Sequence, residues 1–439
     1  MNSRRNFLQK ITTLTAATAL PFYQSLEGKS LFQAIQAKKH LSPFEAARDE
    51  EFWHLIKQAY TVSPSLLNLN NGGVSPAPKV VQEALDRYNK YSNETPSHYM
   101  WHILDRQGKE PLREKLAQIA GCSKEEIAIH RNTTEALANI IFGLPLKKGD
   151  EVVLSKQDYP NMINAWRQRQ LRDKIILKWV NLDPIMEDKQ AIVTRYLEQF
   201  TEKTKLVHIT HLINWSGQVL PVKAIADAAK ARNVEVLVDG AHTFGHLNYK
   251  IPDLNCDYFG TSLHKWLCAP FGSGMMYIQQ DKIQKIYPLM AAPTPREKNI
   301  RKFENIGTRS IPIEQAIGQA ADFHLMIGAE RKEARLRYLK EYWTGGVLKL
   351  PGVSINTPSH PDFSGAIALL AVADKKPHDL ASYLMRHHQI HSVAIVWENI
   401  SGVRITPNVY TLRGDLDRLI SATEAFIKQA VAVGENGKH

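Results

Sequence analysis

Between residues 125 and 279 the chain repeats one pattern: a short, nearly continuous apolar run closed by polar or Gly/Pro residues, with amphipathic stretches in between. The runs are EEIAIH (125–130), DEVVLS (150–155), KIILKWV (174–180), KLVHITHL (205–212), VEVLVD (234–239), DYFGTSL (257–263) and SGMMYIQ (273–279). A strand with one wet face alternates apolar and polar residues. These runs do not, so both of their faces are buried. Stretches such as TTEALANIIFGL and PVKAIADAAKARN carry helical spacing and supply the cover. The chain reads as α/β, with a mostly parallel seven-stranded sheet in a large domain over 76–305.

A chain of 439 residues exceeds one ordinary core, so a second domain is expected. After 306 the pattern changes to a long helical stretch (313–343), short interrupted strands and a closing helix, LDRLISATEAFIKQ. That describes a smaller α+β domain over 306–439, which residues 41–75 are expected to join. Residues 1–40 read as a leader. Arg4 and Arg5 precede Phe7, Leu8 and an uncharged Thr/Ala-rich stretch, the pattern of twin-arginine export to the periplasm, and Ala17-Thr18-Ala19 has a small-x-small cleavage form. That route carries folded proteins, which suits a chain that takes up a cytosolic cofactor first.

The net charge of +11 is partly terminal: residues 1–40 hold six basic side chains against Glu27 alone, a surplus of five. The mild excess that remains, without basic runs interleaved with aromatics, excludes nucleic acid as the expected partner. It suits an anionic cofactor or a carboxylate substrate. No apolar run approaches the roughly 20 residues that span a bilayer. Cys122, Cys256 and Cys268 form no CxxC pair and read as small core residues. RHHQIHS (386–392) has three histidines but no acid or thiol beside them, so no metal site is expected.

Ligands in open α/β sheets bind beyond the carboxyl ends of the strands. Asp239 closes one strand, and a carboxylate there needs a partner such as a pyridinium nitrogen; a turn or helix-cap aspartate is the plainer reading. Lys265 follows the strand DYFGTSL, where desolvation lowers its pKa and favours Schiff-base chemistry; a lysine emerging into solvent fits as well. Ser262 and His264 flank it and suit a phosphate. Thr133 and Thr134 open a helix directly after a strand, which makes either an anion site or simple capping.

Taken together, N-T-T-E (132–135), S-x-x-D-Y (155–159), H-x-x-N-x-x-G (211–217), D-G-A-H (239–242), S-x-H-K (262–265), G-T-R (307–309) and V-R-x-T (403–406) resemble the class V aminotransferase family. Its members, which include cysteine desulfurases, kynureninases and isopenicillin N epimerases, are enzymes of fold type I dependent on pyridoxal phosphate (PLP). The resemblance covers about 65–435, and LNLNNGGVSPAP (67–78) looks most like the epimerase branch. It implies that Lys265 carries PLP as a Schiff base, that Asp239 pairs with the pyridine nitrogen, and that His242 lies near the phenolic oxygen, where many relatives have glutamine. Tyr159 stands where a ring stacks on the cofactor. Thr133, Thr134, Ser262 and His264 would hold the phosphate, and Asn214 would sit near the phenolic oxygen and the substrate. Thr308 would reach the neighbouring subunit's phosphate, implying a homodimer. Arg404 would clamp the substrate carboxylate, with Asn71 also assigned to the substrate.

The implied activity is Cα chemistry on a small amino acid, epimerase-like or aminotransferase, with β-elimination at carbon–sulfur bonds as the alternative. Desulfurases need a mobile cysteine from the small domain, and this chain has none after Cys268. An exported, non-catalytic binding protein on the same fold is the competing class, against which the presence of both Lys265 and Asp239 counts.

Overall fold

The computed structural model describes residues 26–436. The arginine pair and the small-x-small site lie outside the described residues. A two-residue strand, β1 (Leu67–Asn68), precedes the large sheet. All seven apolar runs then become strands: β2 (Ile127–His130), β3 (Glu151–Ser155), β4 (Ile176–Val180), β5 (Thr204–Thr210), β6 (Glu235–Asp239), β7 (Tyr258–Ser262) and β8 (Gly274–Ile278). They form one sheet in the order β2-β8-β7-β6-β5-β3-β4, parallel except that β8 runs antiparallel to both of its neighbours.

Strand side chains alternate between two cores. Val153, Val207, Val236, Val238 and Phe259 face one, while Val152, Leu154, Leu206, Leu237 and Tyr258 face the other. This double burial is why the runs lack a polar period.

The second sheet is antiparallel, in the order β12-β13-β10-β9, from β9 (Val353–Ile355), β10 (Ala368–Val372), β12 (Val393–Trp397) and β13 (Ile400–Ile405). Strand β11 (Ile390–His391) pairs in parallel with β1. Leu67 and Leu69 share a core with Trp343, Leu370, Val403 and Leu419. Residues upstream pack elsewhere: Phe52, Trp53 and Ile56 join the core of the large sheet.

Two findings refine the segment boundaries. The helical stretch 313–343 is two helices, Ile311–Ile327 and Ala329–Val347, broken at Gly328, whose φ of 93° a side chain would strain. The first of them buries Ala316, Ile317 and Ala320 in the large sheet's core, although it lies past residue 306. Within the segment assigned to the leader, Leu26–Ala37 is a helix whose Leu31 and Ile35 are buried in that same core.

The outer strand β2 is closed by charge. Glu304 accepts the Ile129 N–H at 2.7 Å and pairs with Arg113 at 2.7 Å and Lys109 at 3.3 Å. Against the cost of burial, these two cations hold its carboxyl at about 2.

Candidate active site

The carboxyl ends of β6 and β7 and the turn after β2 meet at one place. Asn132 caps the helix Thr133–Gly143 by accepting the Glu135 N–H. The Thr133 N–H donates to Ser262 Oγ at 2.9 Å, and the two hydroxyl oxygens lie 2.7 Å apart. Thr134, half-buried at the second helical position, has neither amide nor hydroxyl partner among the described residues. His264 Nδ1 meets the Ser273 carbonyl at 2.9 Å, which leaves its Nε2 available. Gly274 must be glycine, because a Cβ there would stand 2.6 Å from the Asn132 backbone. These groups form an anion cradle at a helix N-terminus.

Asp239 makes the turn bond of its plainer sequence reading and keeps one oxygen over. Oδ1 accepts the Ala241 N–H at 2.9 Å, a turn bond, while its other oxygen has no protein partner among the described residues. Burial raises its pKa, opposed by the Ala241 amide and the positive charge of Lys265. Lys265 Nζ lies 3.0 Å from His242 Nε2. Burial lowers the amine to about 8, with Asp239 resisting and Arg404 adding to the drop. His242 is pushed well below the ordinary imidazole range by burial and then by Lys265 and Arg404.

On the small-domain side, Arg404 comes from β13. It donates to the Asn214 carbonyl at 3.0 Å and to Asn70 Oδ1 at 2.9 Å, while its buried Nε has no partner among the described residues. Burial brings it down to about 10, so it stays charged at neutral pH. Asn214 is buried with its side-chain amide unpartnered among the described residues. Asn71 is used up in the scaffold. It donates to the Asn68 and Thr406 carbonyls and accepts from Tyr410 at 2.5 Å and Asn68 at 3.2 Å, so Asn70 is the residue that meets Arg404. Tyr159 is 40 % exposed, with its ring near-parallel to Trp215, which in turn stacks on Trp397 at 5.4 Å. Thr308 is exposed, and no hydrogen bond links it to the other site residues.

Sequence reading passed over three residues beside Asn70. Asp158 is buried, accepts from Thr210 and the Ser155 amide, and is raised to about 7 by burial, with the nearby Asp239 adding to the rise. Its place in S-x-x-D-Y was the available signal. His246 and Trp266 stack 4.0 Å apart behind His242; the spacing of His246 in DGAHTFGH hinted at one, and nothing showed where the indole points.

A family model, that of class V aminotransferases, matches residues 67–413, spanning every residue of this constellation. The chain belongs to the class V aminotransferase family. It is accordingly a PLP-dependent enzyme of the α/β type. Among its curated relatives, an isopenicillin N epimerase of Streptomyces clavuligerus is 26% identical over 85% of this chain and 98% of its own length. A probable cysteine desulfurase of Halalkalibacterium halodurans is 28% identical over 85% and 96%. The fold matches the Escherichia coli cysteine desulfurase CsdA with a TM-score of 0.75 at 17% identity, covering 86% of this chain and 98% of that one. It also matches the cystine C–S lyase C-DES, solved with cysteine persulfide, with a TM-score of 0.74 at 23% identity, covering 82% and 97%.

The residues fit PLP on structural grounds. The unpartnered Asp239 oxygen suits a pyridinium N–H, the open helix N-terminus at Thr134 suits a phosphate, and a Lys265 amine lowered by burial suits a carbonyl.

Proposed function

We propose that this class V enzyme deprotonates the Cα of a small amino acid and then either returns the proton, as an epimerase does, or completes a transamination. PLP, when bound, supplies the sink for the electron pair left at Cα. Arg404 binds the substrate carboxylate, a task to which its planar fork is suited. Asn214 and Asn70 fix the guanidinium from two sides. Lys265, once freed, takes the Cα proton as general base, and a pKa of about 8 suits that task near neutral pH. The Asp239 oxygen without a protein partner is available to a pyridinium N–H. Thr133, Thr134, Ser262 and His264 anchor the anionic end.

The observation that carries this reading is the Lys265 amine, lowered by burial and set between His242 and the Asp239 carboxylate. The second reading is β-elimination, favoured by the likeness to a cystine C–S lyase. Persulfide transfer through the chain's own thiol is disfavoured, because the cysteine nearest the site, Cys268, is buried. A homodimer is supported by the outward-facing Thr308, and periplasmic export by the Arg4-Arg5 pattern. Light scattering and the localisation of a reporter fusion test these two.

The test of function is the visible spectrum of the purified protein before and after borohydride. The wild type is expected to be yellow and to bleach, and Lys265→Ala to lack the band. Amino-acid screening for racemisation, transamination and β-elimination then separates the readings. A protein that stays colourless after incubation with PLP would overturn all of them.

A further inference from the structure

Behind Lys265, two histidines and an indole form a hydrogen-bond chain whose direction is fixed by groups of known polarity. A backbone N–H only donates and a carbonyl only accepts. The Ala366 N–H lies 2.8 Å from His246 Nε2, so that nitrogen carries a lone pair. His246 Nδ1 lies 2.7 Å from the His242 carbonyl, so it carries the proton. His246 is therefore the neutral Nδ1–H form. An indole N–H also only donates. Trp266 Nε1 lies 3.4 Å from His242 Nδ1, which must present its lone pair. The one ring proton of neutral His242 then sits on Nε2, facing Lys265 Nζ at 3.0 Å.

We propose that Trp266 is a positioning residue whose indole N–H locks His242 in the Nε2–H tautomer, so that His242 donates to Lys265 Nζ whenever that amine is neutral. The indole has no other choice. Trp266 is fully buried, so water cannot take its N–H. Its carbonyl is held by Lys332 Nζ, and its ring lies flat on His246 at 4.0 Å and 24°. His246 is itself clamped from the small domain, where a Cβ on Gly365 would stand 2.7 Å from its ring. Burial, with the charge of Arg404 adding to it, keeps His242 neutral, which leaves it a single proton to place. The lock rests on reading Lys265 as the reacting amine, in its neutral, proton-accepting form.

The test is solid-state 15N spectroscopy of full-length protein, with and without PLP, labelled in the histidine rings and the indole and held well above the Lys265 midpoint of about 8, where the amine is neutral. His242 and His246 are assigned by their glutamine variants. In wild type His242 is expected to show a pyridine-type Nδ1 and a pyrrole-type Nε2, and His246 the reverse. Trp266→Phe keeps a flat ring but removes the donor. It should divide the His242 signal between tautomers and leave His246 unchanged, the latter reporting that the site is still folded. A wild-type His242 protonated on Nδ1, or an undivided Nε2–H signal in Trp266→Phe with His246 intact, would overturn the proposal. If the variant does not fold, magnetisation transfer from the Trp266 indole proton to His242 Nδ1 in wild type decides the matter: a cross-peak supports the lock and its absence sinks it. Failure here is separable from failure of the functional reading, since a colourless protein can show this tautomer and a yellow one can lack it.

Discussion

Lys265 sits in opposing influences, and its titration should show them. Burial lowers the ammonium and the Asp239 carboxylate raises it, for a balance at about 8. The attacking form is the neutral amine, so the rate at which apoprotein captures PLP should rise with pH to a plateau just above 8. An unperturbed lysine would keep climbing toward 10.4. Asp239→Asn removes the anion and should move that midpoint lower, as stopped-flow absorbance would show. Lys265→Ala should cut Cα–H exchange by about 10²- to 10⁴-fold, the usual share of a general base, read by deuterium incorporation into substrate. Arg404→Lys keeps the charge and loses the fork. A lost charge-assisted bond costs about 1.5–3 kcal/mol, so KM should rise by about 10- to 100-fold with kcat less affected. Residue positions were legible in the sequence where a strand end dictated them, as at Asp239 and Lys265. They were illegible where side-chain direction decides. Asn70 and Asn71 are adjacent with one chemistry, and only the turn's hydrogen bonds show which faces Arg404.

At the scale of elements, the seven large-sheet strands were readable because double burial leaves an apolar run with no competing signal. The small-domain strands were not, since β9 and β12 are partly exposed and short. The break at Gly328 was missed because glycine is tolerated inside helices, and only its φ of 93° shows that it ends one. The join between β2 and the turn Ile300–Glu304 rests on a charged cluster, and it makes a stability prediction. Glu304→Gln leaves Arg113 with Glu110 alone and Lys109 with Asp105 and Glu314, and should cost about 3 kcal/mol in chemical denaturation. The pH dependence has a definite sign. The folded carboxyl is depressed to about 2 from an ordinary 4.5, so its contribution is complete above 4.5 and lost as pH falls toward 2. That contribution is about 3 kcal/mol, and the variant's stability should be correspondingly flatter across this window.

Across the whole molecule, the fold does not divide where composition changes. Residues 26–37 look like the tail of a leader, yet Leu31 and Ile35 reach the main core, so the folded unit begins before residue 41. A chain starting at residue 41 should be less stable than one starting at residue 26 by about 3–6 kcal/mol, the burial of two aliphatic side chains, measured by urea unfolding. The sequence could not reveal this, because a weakly apolar helix so far from the sheet strands has no partner visible along the chain. A last consequence concerns crowding. The outermost strand of a large sheet is an open template on which another molecule's strand can add. On β2 the Ile129 N–H is already spoken for by a carboxylate, itself tied to two cations from a neighbouring helix. An incoming strand would have to unseat that buried acid before making its first bond, so the group that steadies the fold also guards it against polymerising edge to edge.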